Sequence, residues 1–232
     1  AAVLFRAAMT GMRQRRQTAR QAARMGVLLR TERALWATGI TRVAGVDEVG
    51  VGPLAGPLVA AAVVVPPTMR LRGVDDSKRL RPALREELAG RIRAEALAVS
   101  LGVVDVEEID RLNVYRATLE AMRRAVAGLA VVPEHVVVDA RTIPGIDLPQ
   151  TAIVRGDSRS FAVAAASIVA KVARDEMMRD LDRDYPDYGF ADNAGYGTAA
   201  HLAALARQGP CPAHRRSFAP VRQMRLPGIS DT

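Results

Sequence analysis

A chain of 232 residues, 49% of them hydrophobic, can bury one substantial core, and its longest apolar run, at 58–65, falls far short of the ~20 residues a membrane helix needs. A single cysteine, Cys211, excludes an internal disulfide framework and points to a reducing compartment, the cytoplasm. The net charge of +8 sits at the ends: residues 1–36 hold eight arginines against one acid, Glu32, and residues 207–225 hold five against none, so a mildly acidic body lies between basic flanks, as suits acidic chemistry held against a polyanion.

In chain order, residues 1–25 interleave arginine with small apolar residues and predict a basic tail, helical or disordered. One folded domain is expected over 26–225, followed by a short tail at 226–232. Leu28, Leu29, Ala34, Leu35 and Trp36 suit a short amphipathic helix. A β-branched segment then ends in Asp47 and Glu48 and breaks into Gly50-Val51-Gly52-Pro53. Side chains alternate along a strand, so these two acids share one site only if the strand stops at Glu48 and the glycine turn re-aims it. Gly50-Val51-Gly52-Pro53-Leu54-Ala55 also fits a dinucleotide-binding fingerprint, but that motif must open a helix, whereas a second strand, 58–65, follows here.

A polar loop at 73–80 precedes a helix at 82–98, with Pro82 early in it. Strand 99–104, helix 113–129 and strand 135–139 follow, the last a continuous apolar run ending in Asp139, as for a parallel strand covered on both faces. Strand 151–154 leads to Gly156-Asp157-Ser158-Arg159-Ser160 and one long helix to about residue 185, with Ala162, Ala165, Ala166, Ile168, Val169 and Val172 on its buried side. Asp157 at that helix start is positioned to cap it. A helix over 198–207 completes a smaller C-terminal segment, and lysine occurs only at Lys78 and Lys171 in an otherwise arginine-using chain, where a compact ammonium is called for.

Asp47, Glu48, Asp139 and Asp157 each read singly as a strand end or a helix cap. Together they stand at comparable places in an open α/β sheet, whose strand ends share one crevice. Clustered carboxylates need a cation to stay ionised, and oxygen ligands without His or Cys select Mg²⁺ or Mn²⁺ over zinc.

The run from Asp47-Glu48-Val49-Gly50 through Gly52-Pro53-Leu54-Ala55-Gly56-Pro57, the Asp76-Ser77-Lys78 loop, the stretch from Gly156 to Asp175, Gly195-Tyr196-Gly197-Thr198 and His214-Arg215-Arg216-Ser217-Phe218 together resemble the type 2 ribonucleases H, specifically bacterial ribonuclease HII. The resemblance covers about residues 28–225. It implies a ribonuclease H-like α/β fold, a mixed five-stranded sheet flanked by helices with a small helical C-terminal segment. It also implies an endonuclease that cuts the RNA strand of RNA–DNA hybrids and cuts 5′ of ribonucleotides embedded in duplex DNA, leaving 5′-phosphate and 3′-hydroxyl ends. Asp47, Glu48, Asp139 and Asp157 would be both catalytic residues and ligands of two Mn²⁺ or Mg²⁺ ions. Gly50, Val51, Gly52, Lys78, Lys171, Tyr196, Arg215 and Arg216 would contact nucleic acid, with no membrane partner and a monomer expected. Three departures stand out: Val51 for an arginine, Ala140 for a glycine, and Asp192-Asn193-Ala194 for a basic pair. A catalytically weak hybrid-binding module is the competing reading, and a nucleotide-dependent oxidoreductase a distant third.

Overall fold

Residues 18–223 are described in the computed structural model; the expected tail at 226–232 and most of the basic tail at 1–25 lie outside them. The boundary expected after residue 25 falls inside a helix, α1, at 18–28. Arg24 on it forms an ion pair with Asp75 and donates to the Ser158 carbonyl at 2.8 Å, while Met25 packs against the core. The folded body therefore begins upstream of Gly26. A second helix, α2 (Arg30–Ala37), leads into the sheet.

Five strands form that sheet: β1 (Val43–Val49), β2 (Leu58–Val65), β3 (Ala98–Val104), β4 (His135–Asp139) and β5 (Gln150–Ile153), in spatial order β3-β2-β1-β4-β5. The β1–β2 and β2–β3 pairs are antiparallel, and β1–β4 and β4–β5 are parallel, which is the mixed sheet the sequence pattern predicts. β2 is buried along its whole length because it is central and covered on both faces. Its alternate residues divide between two cores. Ala61, Val63 and Val65 meet α3 (Pro82–Glu95) and α6 (Phe161–Asp184), whereas Leu58, Ala60, Ala62 and Val64 meet α4 (Val106–Leu112) and α5 (Val114–Ala127).

Close helix approach is bought on each face by one strand glycine. A Cβ at Gly45 would lie 2.0 Å from the Ala162 carbonyl carbon of α6, and one at Gly102 would lie 1.9 Å from the Ala121 oxygen of α5. The small residues Ala162, Ala165 and Ala166 keep the α6 side of the contact equally flat.

Helix α4 was absent from the pattern reading. It starts at Asp105, whose side chain accepts from the Glu108 amide at 2.8 Å, so an N-cap signal was present in a segment too short to show periodicity. The C-terminal helices α7 (Phe190–Asn193), α8 (Ala199–Gln208) and α9 (Ala219–Arg222) form a third apolar cluster. Leu54 and Ala55, from the glycine-rich loop after β1, lie within it.

Gly45→Ala is expected to destabilise the protein by about 3 kcal/mol or more, since backbone of α6 rather than a movable side-chain tip fills the Cβ position. Urea denaturation measures the loss, and a change below about 1 kcal/mol would show that α6 can lift off the sheet without penalty.

Candidate active site

The parallel ladder between β1 and β4 runs from Val43↔His135 to Val46↔Val138, so the next residue on each strand is an aspartate, Asp47 and Asp139. β1 does not stop at Glu48 as expected; its pairing with β2 continues through Val49↔Val59. Convergence is reached differently. The ladder to β4 has ended, the strand is open on that side, and the longer Glu48 side chain brings an oxygen round to Asp47 and Asp139. Ligand oxygens of all three lie within 4.8 Å of one another. Asp157 is outside that cluster and stands at its rim, close enough to Asp139 and Asp76 for their charges to act on it.

Each acid is held by a particular partner. Asp47, 6% exposed, is bonded by the hydroxyl of Ser167 on α6 and accepts the Glu48 amide at 2.9 Å. Ser167 is itself joined to Ser77 at 2.9 Å, which docks the Asp76-Ser77-Lys78 loop onto the helix. Asp139 accepts the Gly156 amide at 2.6 Å, and a Cβ on Gly156 would lie only 3.3 Å from the same carboxylate oxygen. Glu48 Oε2 is buried and has no hydrogen-bond partner among the described residues. Ser167 was missed as a site residue, although a lone hydroxyl on an alanine-lined buried helix face is the available signal.

Burial pushes the Asp47 carboxyl well up, and the charges of Glu48 and Asp139 add to it. Burial also raises Glu48, with Arg141 opposing and Asp139 reinforcing the shift. Asp157 is raised by burial, then by Asp76 and Asp139, and Lys78 opposes. Lys78 thus lies where its charge acts on both Glu48 and Asp157. Two carboxyls, Asp47 and Glu48, both raised by burial and by the nearby charge of Asp139, fit a divalent cation bound by hard oxygen ligands.

The helix-capping role expected of Asp157 belongs to other residues. It lies in a single 3₁₀ turn, Gly156–Ser158, ahead of the helix. α6 is capped by Ser160, whose hydroxyl accepts the Val163 amide, and by Glu32 from α2, which accepts the Ala162 amide at 2.9 Å and the Ser160 hydroxyl. Asp157 is free of that duty and faces the other acids. Ala140, directly after Asp139, adopts φ +59°, a left-handed conformation that explains the glycine usual there and costs an alanine about 1 kcal/mol.

Of the residues expected to touch nucleic acid, Val51, Gly52, Lys78, Tyr196 and Arg216 are exposed. The Tyr196 ring lies 3.7 Å from where a Cβ on Gly52 would be, so the aromatic platform and the Gly-x-Gly loop form one surface. Three residues depart from the expectation. Gly50 is buried, with Arg174 directly beneath it. Lys171 forms an ion pair with Asp175, which also accepts from Arg85 at 2.9 Å. Arg215 is fully buried and donates to the carbonyls of Gly50, Val51 and Gly56, so it supports the loop from behind and is out of reach of a phosphate.

Tyr196 is held by a relay that the sequence reading passed over. His201 Nδ1 faces the Tyr196 carbonyl at 2.8 Å and must carry the proton; its Nε2 therefore accepts from His214 Nε2 at 2.9 Å, and His214 Nδ1 accepts the Cys211 amide at 3.0 Å. Burial lowers both imidazoles and keeps them neutral, His214 at about 4. His135 is bonded to Thr151 at 2.8 Å.

A family model described as Ribonuclease HII matches residues 44–221. The chain is 54% identical over 211 residues to the Ribonuclease HII of Geobacillus thermodenitrificans (strain NG80-2), covering 91% of this chain and 80% of that one. It is 55% identical over 201 residues to the Ribonuclease HII of Myxococcus xanthus (strain DK1622), covering 86% and 69%. Among solved structures, the ribonuclease H2 from Pyrococcus horikoshii OT3 superposes with a TM-score of 0.67 at 29% identity, over 78% of this chain and 96% of that one.

The raised acids set a sign for pH dependence. Their contribution to stability is fully present below the unfolded values, near 3.8 for Asp47 and 4.5 for Glu48, and is lost as the pH rises through the folded values. Across pH 4 to 8, metal-free protein should therefore lose stability as the pH rises, and Asp47→Asn should lose less, ending more stable than wild type at pH 8. Thermal melts across that range in a chelating buffer check this, and an Asn variant less stable than wild type at pH 8 contradicts it.

Proposed function

The chain belongs to the ribonuclease HII family and is a ribonuclease H, and within that activity we propose an endonuclease that cuts the RNA strand of RNA–DNA hybrids and cuts 5′ of single ribonucleotides embedded in duplex DNA, leaving 5′-phosphate and 3′-hydroxyl ends. The observation that carries this reading is the meeting of Asp47, Glu48 and Asp139 within 4.8 Å, in the same protein in which the exposed Tyr196 lies over Gly52. Asp47, Glu48, Asp139 and, at the rim, Asp157 would hold two Mn²⁺ or Mg²⁺ ions. When bound, such a pair supplies an activated water and stabilises the leaving 3′-oxygen of an in-line displacement.

The protein's own contribution is placement. The Gly156 amide and the Ser167 hydroxyl fix the orientations of Asp139 and Asp47 before any substrate arrives. Tyr196 offers a ring face on which a sugar or base can stack without reading sequence. Its position over Gly52 joins that platform to a backbone that, lacking a side chain there, would let a 2′-hydroxyl come close. Lys78, exposed and near enough to Glu48 and Asp157 for its charge to act on both, would meet a phosphate beside the acids. Val51, at 38% exposure, occupies the middle of the loop with an apolar side chain, so the cationic contact of the family pattern is missing while the backbone is intact. The enzyme is read as a monomer, and its one cysteine, Cys211, buried and unpaired, supports placing it in the reducing cytoplasm.

The deciding experiment incubates wild type and Asp139→Asn with a DNA duplex carrying one ribonucleotide, with Mg²⁺, Mn²⁺ or EDTA. Wild type should cut at the 5′ side of the ribonucleotide only with metal, and Asp139→Asn should lose at least about 1,000-fold in rate, the scale of losing one strong transition-state contact. Binding without cutting by wild type in both metals would leave only the hybrid-binding module.

Val51→Arg should raise kcat/KM on the same duplex by about 10-fold, as expected for one regained charge-assisted hydrogen bond of about 1.5–3 kcal/mol partly offset by ordering the side chain. Preference for the ribonucleotide over all-DNA duplex should be unchanged. If Val51→Arg alone creates that preference, the side chain and not the backbone selects the ribose.

A further inference from the structure

Two arginines that touch neither the acids nor the open surface make seven hydrogen bonds to backbone carbonyls around the glycine-rich loop. Arg174, on α6, donates from Nε to Pro57 O at 2.9 Å, from Nη1 to Ala194 O at 3.0 Å and from Nη2 to Ala55 O at 3.2 Å. Arg215 donates from Nε to Gly56 O at 3.0 Å, from Nη1 to Val51 O at 3.2 Å and from Nη2 to Gly50 O at 2.7 Å and Gly56 O at 2.8 Å. Both side chains are 0% exposed. Among the described residues no carboxylate accepts a hydrogen bond from either, so the buried charges are compensated by carbonyl dipoles.

That choice of acceptor fixes the loop's other face. In a trans peptide the C=O and the following N–H point in opposite directions. With the Gly50 and Val51 carbonyls turned inward onto Arg215, the Val51 and Gly52 amides must point away from it, towards the exposed side where the Tyr196 ring lies. Neither amide has a hydrogen-bond partner among the described residues, and Pro53, next in the chain, has no N–H to continue the row. Glycine is required at 50 and 56 for the same reason seen from behind. A Cβ at Gly50 (φ +93°) would lie 2.3 Å from Arg174 Nε, and one at Gly56 (φ +82°) would lie 2.3 Å from Met178 Sδ and 3.4 Å from Arg174 Nη2.

We propose that Arg215, backed by Arg174, is the positioning residue for ribose selection: by gripping the Gly50 and Val51 carbonyls from inside, it aims the Val51 and Gly52 amides at the 2′-hydroxyl of the bound ribonucleotide. This rests on the ribose-directed cleavage proposed above. It assigns the selectivity to a guanidinium fork that the substrate never meets. Two outward amides without partners are an anion- and hydroxyl-binding concavity of the kind successive backbone N–H groups make. Their alignment is lost if the fork is replaced by a single ammonium.

The test uses the full chain and Arg215→Lys, which keeps the charge and removes the fork. Dissociation constants are measured for two matched duplexes, all-DNA and with one ribonucleotide, with Ca²⁺ as the probe ion in place of Mg²⁺ or Mn²⁺. Wild type should favour the ribonucleotide duplex by about 10-fold or more, and in Arg215→Lys the ratio should fall to within about 2-fold, the loss expected when one or two hydrogen bonds to the sugar go. Affinity for the all-DNA duplex should stay the same, which a merely unfolded loop would not allow. Preference retained in Arg215→Lys overturns the inference and leaves the proposed function standing; no preference in wild type overturns both. If Arg215→Lys does not fold by circular dichroism, amide NMR on wild type decides. The Val51 and Gly52 resonances should shift with the ribonucleotide duplex and not with the all-DNA duplex, and equal shifts with both overturn the proposal.

Discussion

The close seat of α6 on β1 is the constraint from which the rest of the site follows. Ala162 meets Gly45, Ser167 bonds Asp47, Arg174 lies under Gly50, and Met178 lies under Gly56. Helix and strand keep step over this distance. From Ala162 to Arg174 the helix rises about 18 Å, and from Gly45 to Gly50 the strand spans about 17 Å, so successive turns of one element meet successive pairs of residues on the other. The helix acts as a straightedge against which acids and loop are set out in order. This accounts for a 24-residue helix in which the first ten residues are all buried.

Charge is managed along that straightedge in two opposite ways. The acids are buried with too few donors, so they push one another towards protonation and remain receptive to a cation. The arginines are buried with carbonyl acceptors on every arm, so they need nothing from outside. A site with one deliberately underpaired half and one fully paired half can take up metal and still hold its loop rigid. The same division separates α6's own terminus. Glu32 and Ser160 satisfy its first amides, which leaves Asp157 uncommitted beside the other carboxylates.

Much of this could be read from residue order. Apolar runs bounded by Gly, Pro and Asp placed the strands, and the sheet is mixed and five-stranded as the pattern and the resemblance implied. The acids at strand ends were visible because a carboxylate closing a buried apolar run is locally conspicuous. What escaped detection lacks a local trace. Arg215 and Gly50 are 165 positions apart, and Glu32 and Ala162 are 130 apart, so nothing beside either residue announces the other. An arginine in a basic flank reads as a phosphate ligand until burial shows it facing inward. The strand continuing to Val49 went unforeseen because alternation was applied to both acids equally, whereas a glutamate is one methylene longer than an aspartate and can reach round a strand whose neighbour has ended.

The long separation between the loop and its supports has a consequence during synthesis. Once the chain has emerged as far as Asp184, β1, β4 and α6 are all present and the carboxylates can assemble. The carbonyls of Gly50 and Val51 still await Arg215, and Tyr196 still awaits His214. The acids of the proposed metal site are therefore synthesised before the residues that complete the proposed sugar-facing loop. A chain stopped between Asp184 and Arg215 would carry all four acids and lack the guanidinium that holds the Gly50 and Val51 carbonyls.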